Sequence, residues 1–108
     1  MQRIGIYGGT YNPPHVGHIS AAVEAAHALR LDKLLLIPGK TPPHKALPEG
    51  SPSPQQRLDM LTVAAKTHPE LEVSDMEIRR EGVSYTYQTV LALKERYPDA
   101  QLVLIMGT

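Results

Sequence analysis

Apolar runs separated by stretches of helical spacing set the frame of this chain. Residues 3–7 (RIGIY) are mostly apolar and end against Gly8 and Gly9, which predicts a buried strand bounded by a turn. Between residues 16 and 31 the spacing changes: Ile19, Ala22, Val23, Ala26 and Leu29 recur every three or four positions and predict a helix with one apolar face. Residues 33–38 (KLLLIP) are apolar almost throughout, as expected of a parallel strand with helices on both faces. Residues 39–54 hold five of the ten prolines together with Gly39 and Gly50, which predicts a flexible proline-rich loop. Loops of that length in a compact domain are usually functional or mobile. Ser51 or Ser53 can then start a helix with Pro54 in its first turn and Leu58, Leu61, Ala64 and Ala65 on its inner face. A strand at 71–73 continuing toward Ile78, a connection at 80–86 (REGVSYT), a helix at 87–97 and a strand at 101–106 (QLVLIM) complete the pattern.

Strands alternating with helices of this length imply right-handed βαβ units, a parallel sheet and an α/β fold. Ligands of such sheets bind beyond the carboxyl ends of the strands, where strand order reverses. Gly8-Gly9-Thr10, Gly39-Lys40 and Gly107-Thr108 all fall at such ends, so one crevice could use all three.

Composition narrows the chemistry. The 108 residues fit one domain, 1–108, with one modest core. Eleven Lys and Arg balance eleven Asp and Glu, which argues against a broad nucleic-acid or acidic-membrane surface, so any anion site must be local. The absence of cysteine excludes disulfides and thiolate chemistry and suits a cytoplasmic setting. No stretch approaches the ~20 apolar residues of a membrane span, and the protein reads as soluble and untargeted. Without Trp or Phe, the five tyrosines must supply any aromatic stacking.

The residues with most chemical content are 8–18, GGTYNPPHVGH. Gly8 and Gly9 let a ligand approach the main chain closely and permit a turn at positive φ. Pro13 and Pro14 stiffen the approach to a helix whose first free N–H groups favour an anion. His15 and His18, three apart, lie on one face of that helix start, and Gly17 between them leaves room for a phosphate. A Gly-Gly pair after a strand is often only a turn, and a helical histidine pair is often surface or a metal site. It is the whole string, in a strand-to-helix context, that favours nucleotide chemistry. No sequence element marks a metal ligand, and zinc is disfavoured by the lack of Cys and of a nearby acid. Neither GxGxxG nor GxxxxGK[ST] occurs, which disfavours a dehydrogenase or a P-loop NTPase. Arg57 reads as a solvated helix residue, Arg79 and Arg80 call for no functional account, and His27 and His68 look incidental.

GGTYNPPHVGH resembles the GGTFDPxHxGH signature of the nucleotidylyltransferase superfamily. HxGH alone is shared with pantetheine-phosphate adenylyltransferases, cytidylyltransferases and class I aminoacyl-tRNA synthetases. PPHK at 42–45, SYTYQT at 84–89 and LIMGT at 104–108, in that order, make the chain similar to the N-terminal part of the bacterial nicotinate-nucleotide adenylyltransferase family. Tyr11 stands where that family commonly has Phe, and Asn12 where it has Asp. The resemblance implies a Rossmann-like parallel sheet with flanking helices, truncated after the fourth strand. It implies adenylyl transfer from ATP to nicotinic acid mononucleotide, giving nicotinic acid adenine dinucleotide and pyrophosphate, with Mg²⁺ carried by the nucleotide. By resemblance His15, His18 and Lys45 are catalytic, and Gly8, Gly9, Thr10, Tyr11, Lys40, His44 and Gly107 surround phosphate. Tyr85 and Thr86 read the nicotinate carboxylate, although SYT also fits a plain turn with Thr86 as helix cap. The alternatives are another small-molecule adenylyltransferase, of the pantetheine-phosphate type, or a nucleotide-binding module without turnover. Because the family's chain continues beyond this point, the 108-residue piece alone is expected to lack turnover and to cover its fourth strand by association, for example as a homo-oligomer.

Overall fold

The computed structural model describes residues 2–9, 11, 16–39, 50, 53–80 and 86–105. In chain order the elements are β1 (Arg3–Gly9), α1 (Val16–Ala28), β2 (Lys33–Pro38), α2 (Pro54–Ala65), β3 (Leu71–Val73), α3 (Met76–Arg79), α4 (Thr86–Arg96) and β4 (Gln101–Ile105). Among the described residues the strands form one parallel sheet in the order β3-β2-β1-β4. The chain steps outward from β1 to β2 to β3 and then returns to the other side of β1. Strand order therefore reverses at β1 and β4, as expected of a doubly wound sheet.

Alternation along the strands sends successive side chains to opposite faces. Ile4 and Ile6 of β1 and Leu35 and Ile37 of β2 pack with Leu93 of α4 on one face. Tyr7, Leu34 and Leu36 pack on the other with Ile19, Ala22 and Ala26 of α1 and Leu61 and Ala65 of α2. Both faces of β2 are covered, which is why its sequence is apolar throughout. Leu104 of β4 is exposed, and that strand is less covered than β1 and β2.

α1 closes earlier than its apolar spacing suggests, and Leu29 is exposed. Arg30 takes a left-handed φ of 53°, its N–H donates to the His27 carbonyl (3.3 Å) and the Leu31 N–H donates to the Ala26 carbonyl (2.9 Å). This is a Schellman-type ending, and it turns Leu31 back under the sheet. A Cβ on Gly5 would lie 2.5 Å from Leu31 Cδ1 and 3.3 Å from Leu34 Cγ, so a side chain there would make Leu31 shift.

Ser53, not Ser51, starts α2. Its Oγ accepts from the Gln56 N–H (3.1 Å) and its own N–H donates to Gln56 Oε1 (2.7 Å), a capping box with Pro54 in the first turn. The buried stripe of α2 is Arg57, Leu61 and Ala65 at four-residue spacing; Leu58 is half-buried and Ala64 is exposed, contrary to the apolar reading of that face. β3 also stops sooner than expected. The Ser74 N–H donates to the Leu36 carbonyl (2.9 Å), and the next rung would need an N–H from Pro38, which has none. The chain turns instead into α3, where the Arg79 N–H reaches the Asp75 carbonyl and Arg79 Nε donates to Asp75 Oδ2, each at 2.9 Å.

Overpacking beneath Leu31 checks this core. Gly5→Val in the complete protein is expected to lower unfolding free energy by about 1–3 kcal/mol, read from the urea midpoint at unchanged slope; an unchanged midpoint would show that Leu31 moves aside freely.

Candidate active site

β1 and β2 end together at the reversal point of the sheet. Gly9 lies opposite Pro38, and the Gly39 N–H donates to the Gly9 carbonyl (2.9 Å), so the ladder continues one residue past the strand. Neither Gly8 nor Gly9 has a positive φ, so the expected left-handed turn is not what selects glycine there. Packing does not select it either. Among the described residues a Cβ on Gly8 would meet only the Ile37 carbonyl, at 3.9 Å, and one on Gly9 would touch the Tyr11 ring at an ordinary 3.6 Å. In contrast to Gly5, these two glycines lie at the carboxyl end of an internal strand with only ordinary contacts at the place of a Cβ among the described residues, and a bare backbone there lets a ligand approach the main chain.

The left-handed residue of the segment is Tyr11, with φ 51°. Such a backbone is costly for a non-glycine residue and persists where surrounding contacts hold it. Here the holding contacts are visible: the Tyr11 side chain is 3 % exposed, and its hydroxyl donates to the Tyr7 carbonyl at 2.6 Å. Its ring lies 5.7 Å from the Tyr7 ring and 4.8 Å, edge to face, from the His18 imidazole. Tyr11 thus connects the Gly9 backbone to His18. Its hydroxyl is committed inside the protein, so anything it offers a phosphate comes from its main chain. Burial, with the neighbouring Tyr7 phenol second, pushes the Tyr11 phenol well above its ordinary 10.0.

His18 is half-buried in the first turn of α1, beside the helix's first N–H groups, and Gly17 is exposed next to it. Gly8, Gly9, Tyr11 and His18 are therefore gathered at one end of the sheet, with Gly39 against them. His15, Lys45, Thr10, Lys40, His44, Gly107 and Tyr85 lie outside the described residues. Thr86 opens α4.

Sequence reading missed a polar group at this end of the sheet. Arg57 is fully buried rather than solvated, and its Nη1 donates to the Gly39 carbonyl at 2.8 Å. Burial lowers its pKa below the ordinary arginine value. Glu77 Oε1 would lie 3.4 Å from a Cβ on Gly39. The Glu77 carboxylate accepts from Thr89 Oγ1 (2.7 Å), and Thr89 Oγ1 accepts from Arg80 (3.2 Å). The available signal for Arg57 was its position on the same helical stripe as Leu61 and Ala65.

A parallel sheet with helices on both faces, whose strand order reverses beside glycines and a histidine at a helix start, defines the doubly wound α/β class. The chain belongs to the cytidylyltransferase-like family, whose model matches residues 6–108. Over 107 residues it is 43% identical to a probable nicotinate-nucleotide adenylyltransferase of Oceanobacillus iheyensis and 42% identical to the nicotinate-nucleotide adenylyltransferase of Bacillus subtilis; in both cases 99% of this chain is covered. The chain spans about half the length of these curated relatives, 55% and 56%. Its fold matches Plasmodium falciparum nicotinic acid mononucleotide adenylyltransferase complexed with NaAD, with a TM-score of 0.78 at 18% identity, over 96% of this chain and 51% of that one. Among the described residues no helix is long and apolar enough to cross a membrane.

The buried tyrosine carries a pH dependence. The folded state keeps the Tyr11 proton where the unfolded chain releases it, so stability is intact below the ordinary value of 10.0 and falls as pH rises above it. Tyr11→Phe is expected to cost about 0.5–1.5 kcal/mol at neutral pH, through the lost bond to Tyr7, and to flatten the alkaline fall. Denaturation at pH 7 and pH 10.5 reads both; an equally steep fall in the variant would place the responsible group elsewhere.

Proposed function

We propose that this chain is part of an enzyme that transfers the adenylyl group of ATP to nicotinic acid mononucleotide, releasing pyrophosphate and forming nicotinic acid adenine dinucleotide. The observation that supports this reading most is the open backbone of Gly8 and Gly9 beside His18 at the reversal point of the sheet, within a chain over 40% identical to nicotinate-nucleotide adenylyltransferases. A phosphate oxygen of the mononucleotide attacks the α-phosphorus of ATP; the new P–O bond forms as the bond to the β-phosphate breaks, and its electron pair leaves on pyrophosphate. The nucleophile is already an anion, so no protein base is needed, and positioning with charge stabilisation accounts for catalysis.

In this reading Gly8 and Gly9 let phosphate or ribose approach the backbone. His18 donates to phosphate oxygens that gain charge in the transition state, with His15, Lys45 and Lys40 adding charge from neighbouring segments. Thr10, Tyr11, His44 and Gly107 complete the phosphate surroundings, and Tyr85 and Thr86 take the nicotinate carboxylate. Among the described residues no group of three His, Asp or Glu side chains gathers that could cage a metal. Mg²⁺ carried by the nucleotide would be held mostly by phosphate oxygens and water, and it would supply charge neutralisation. Such an enzyme works in the cytoplasm on small-molecule substrates.

A second reading is a nucleotide-binding module without turnover. Pyrophosphate release from ATP and nicotinic acid mononucleotide, assayed on residues 1–108 and on the complete protein, separates the two. Turnover by the complete protein alone assigns catalysis to the whole chain, and ATP binding without turnover in either favours the module.

His18→Ala in the complete protein should lower kcat by roughly 10²-fold or more, if the contact is made to developing charge. Unchanged turnover and ATP affinity would remove His18 from the site.

The acid mononucleotide should be preferred over the amide by more than about tenfold in kcat/KM, because donors that satisfy a carboxylate leave an amide NH₂ unpaired at ~1–3 kcal/mol. Equal kcat/KM for the two would overturn the assignment of Tyr85 and Thr86.

A further inference from the structure

The other buried positions of the stripe that holds Arg57 are apolar, Leu61 and Ala65. A buried charge is expensive, with an effective penalty of several kcal/mol per ion. The guanidinium is fully buried, and its bond to the Gly39 carbonyl points it at the one residue shared by the two strand ends. The N–H of Gly39 holds the Gly9 carbonyl (2.9 Å). On its other side Gly39 lies against the Glu77 carboxylate, itself fixed by the buried hydroxyl of Thr89. An arginine from α2 and a glutamate from α3, on opposite faces of the sheet, thus close on one glycine.

We propose that Arg57 is a positioning residue for the phosphate site: by holding the Gly39 carbonyl it fixes the Gly39 N–H on Gly9, and so sets the open backbone of β1 and the departure point of the chain after β2. The role rests on the reading of this crevice as an ATP site. Arg57 acts through Gly39 and Gly9, so its loss disturbs the alignment of phosphate and acts on kcat as well as on binding.

The test uses the complete protein with Arg57→Met, which keeps the bulk, Arg57→Gln, which is polar but two bonds short of Nη1, and Arg57→Lys, one bond short and still charged. Four quantities are measured: cooperativity of thermal melting, binding of inorganic tripolyphosphate by calorimetry, kcat and KM for ATP, and exchange of the Gly39 amide by NMR. The Met and Gln variants are expected to melt cooperatively, exchange the Gly39 amide faster, bind tripolyphosphate more weakly and lose about tenfold or more in kcat, on the scale that small misplacements of reacting groups produce. Arg57→Lys should recover most of that loss. Folded Met or Gln variants with wild-type kinetics and tripolyphosphate affinity overturn the proposal. So does a kinetic loss with unchanged Gly39 exchange, which would mean that Arg57 acts by another route. Loss of cooperative folding in both variants would make Arg57 a core residue only and also overturn it. If the wild-type protein neither binds tripolyphosphate nor turns over ATP, it is the ATP-site reading that fails.

Discussion

The hydrogen bond from the Gly39 N–H to the Gly9 carbonyl, 2.9 Å long, is the contact on which this end of the molecule depends. Alternate residues of β2 face its two neighbours: Leu34 and Leu36 bond to β3, so beyond Pro38 the next rung of the ladder between β1 and β2 falls to Gly39. Gly39 carries it one residue further and keeps the two carboxyl ends side by side. Everything placed at the crevice refers to that junction: the open backbone of Gly8 and Gly9, the Tyr11 ring against Gly9, and the Arg57 and Glu77 side chains that approach Gly39 from opposite layers. A single amide bond of this kind contributes only about 1 kcal/mol to stability. Its importance is geometric, since it lies where two strand ends would otherwise be free to splay.

The glycines of β1 show how one residue type serves two purposes. A side chain on Gly5 would have to displace Leu31, which the left-handed turn at Arg30 brings into the space a Cβ would take. Among the described residues, Gly8 has no such neighbour and no unusual φ. The first glycine lies tight against the core, and at the second a side chain would make only ordinary contact among the described residues. Tyr11 shows the reverse economy: a tyrosine occupies a backbone conformation that glycine adopts more easily. The ring and hydroxyl that hold it there also bridge Gly9 to His18.

Arg57, Glu77, Thr89 and Arg80 form the polar counterpart of the two apolar layers. Thr89 Oγ1 links Arg80 to the Glu77 carboxylate, and Arg57 reaches the same glycine, Gly39, from the α2 side. α3 has only four residues, and it is the element that brings the Glu77 carboxylate to Gly39.

The sequence by itself determined what local periodicity encodes. Continuous apolar residues in 33–38 identified a strand buried on both faces, three-to-four spacing after residue 16 identified α1, and the GGTYNPPHVGH string marked the carboxyl end of β1 as the candidate site. Strand alternation with helices fixed a parallel sheet, and Gly9, Tyr11 and His18 of the string lie together at one end of it. Non-local contacts decided the rest. Hydropathy assigns an arginine to solvent, so the burial of Arg57 could be seen only once the Gly39 carbonyl lay within reach. Apolar residues in 74–78 suggested a longer β3, but the donor missing from Pro38, on a different strand, ends it. Nothing in the spacing of 8–18 told that the Tyr11 hydroxyl would turn inward to Tyr7. In each case the deciding partner is distant in sequence or reached through an unusual backbone angle, and a periodic pattern reports only which face a residue occupies, not what it meets there.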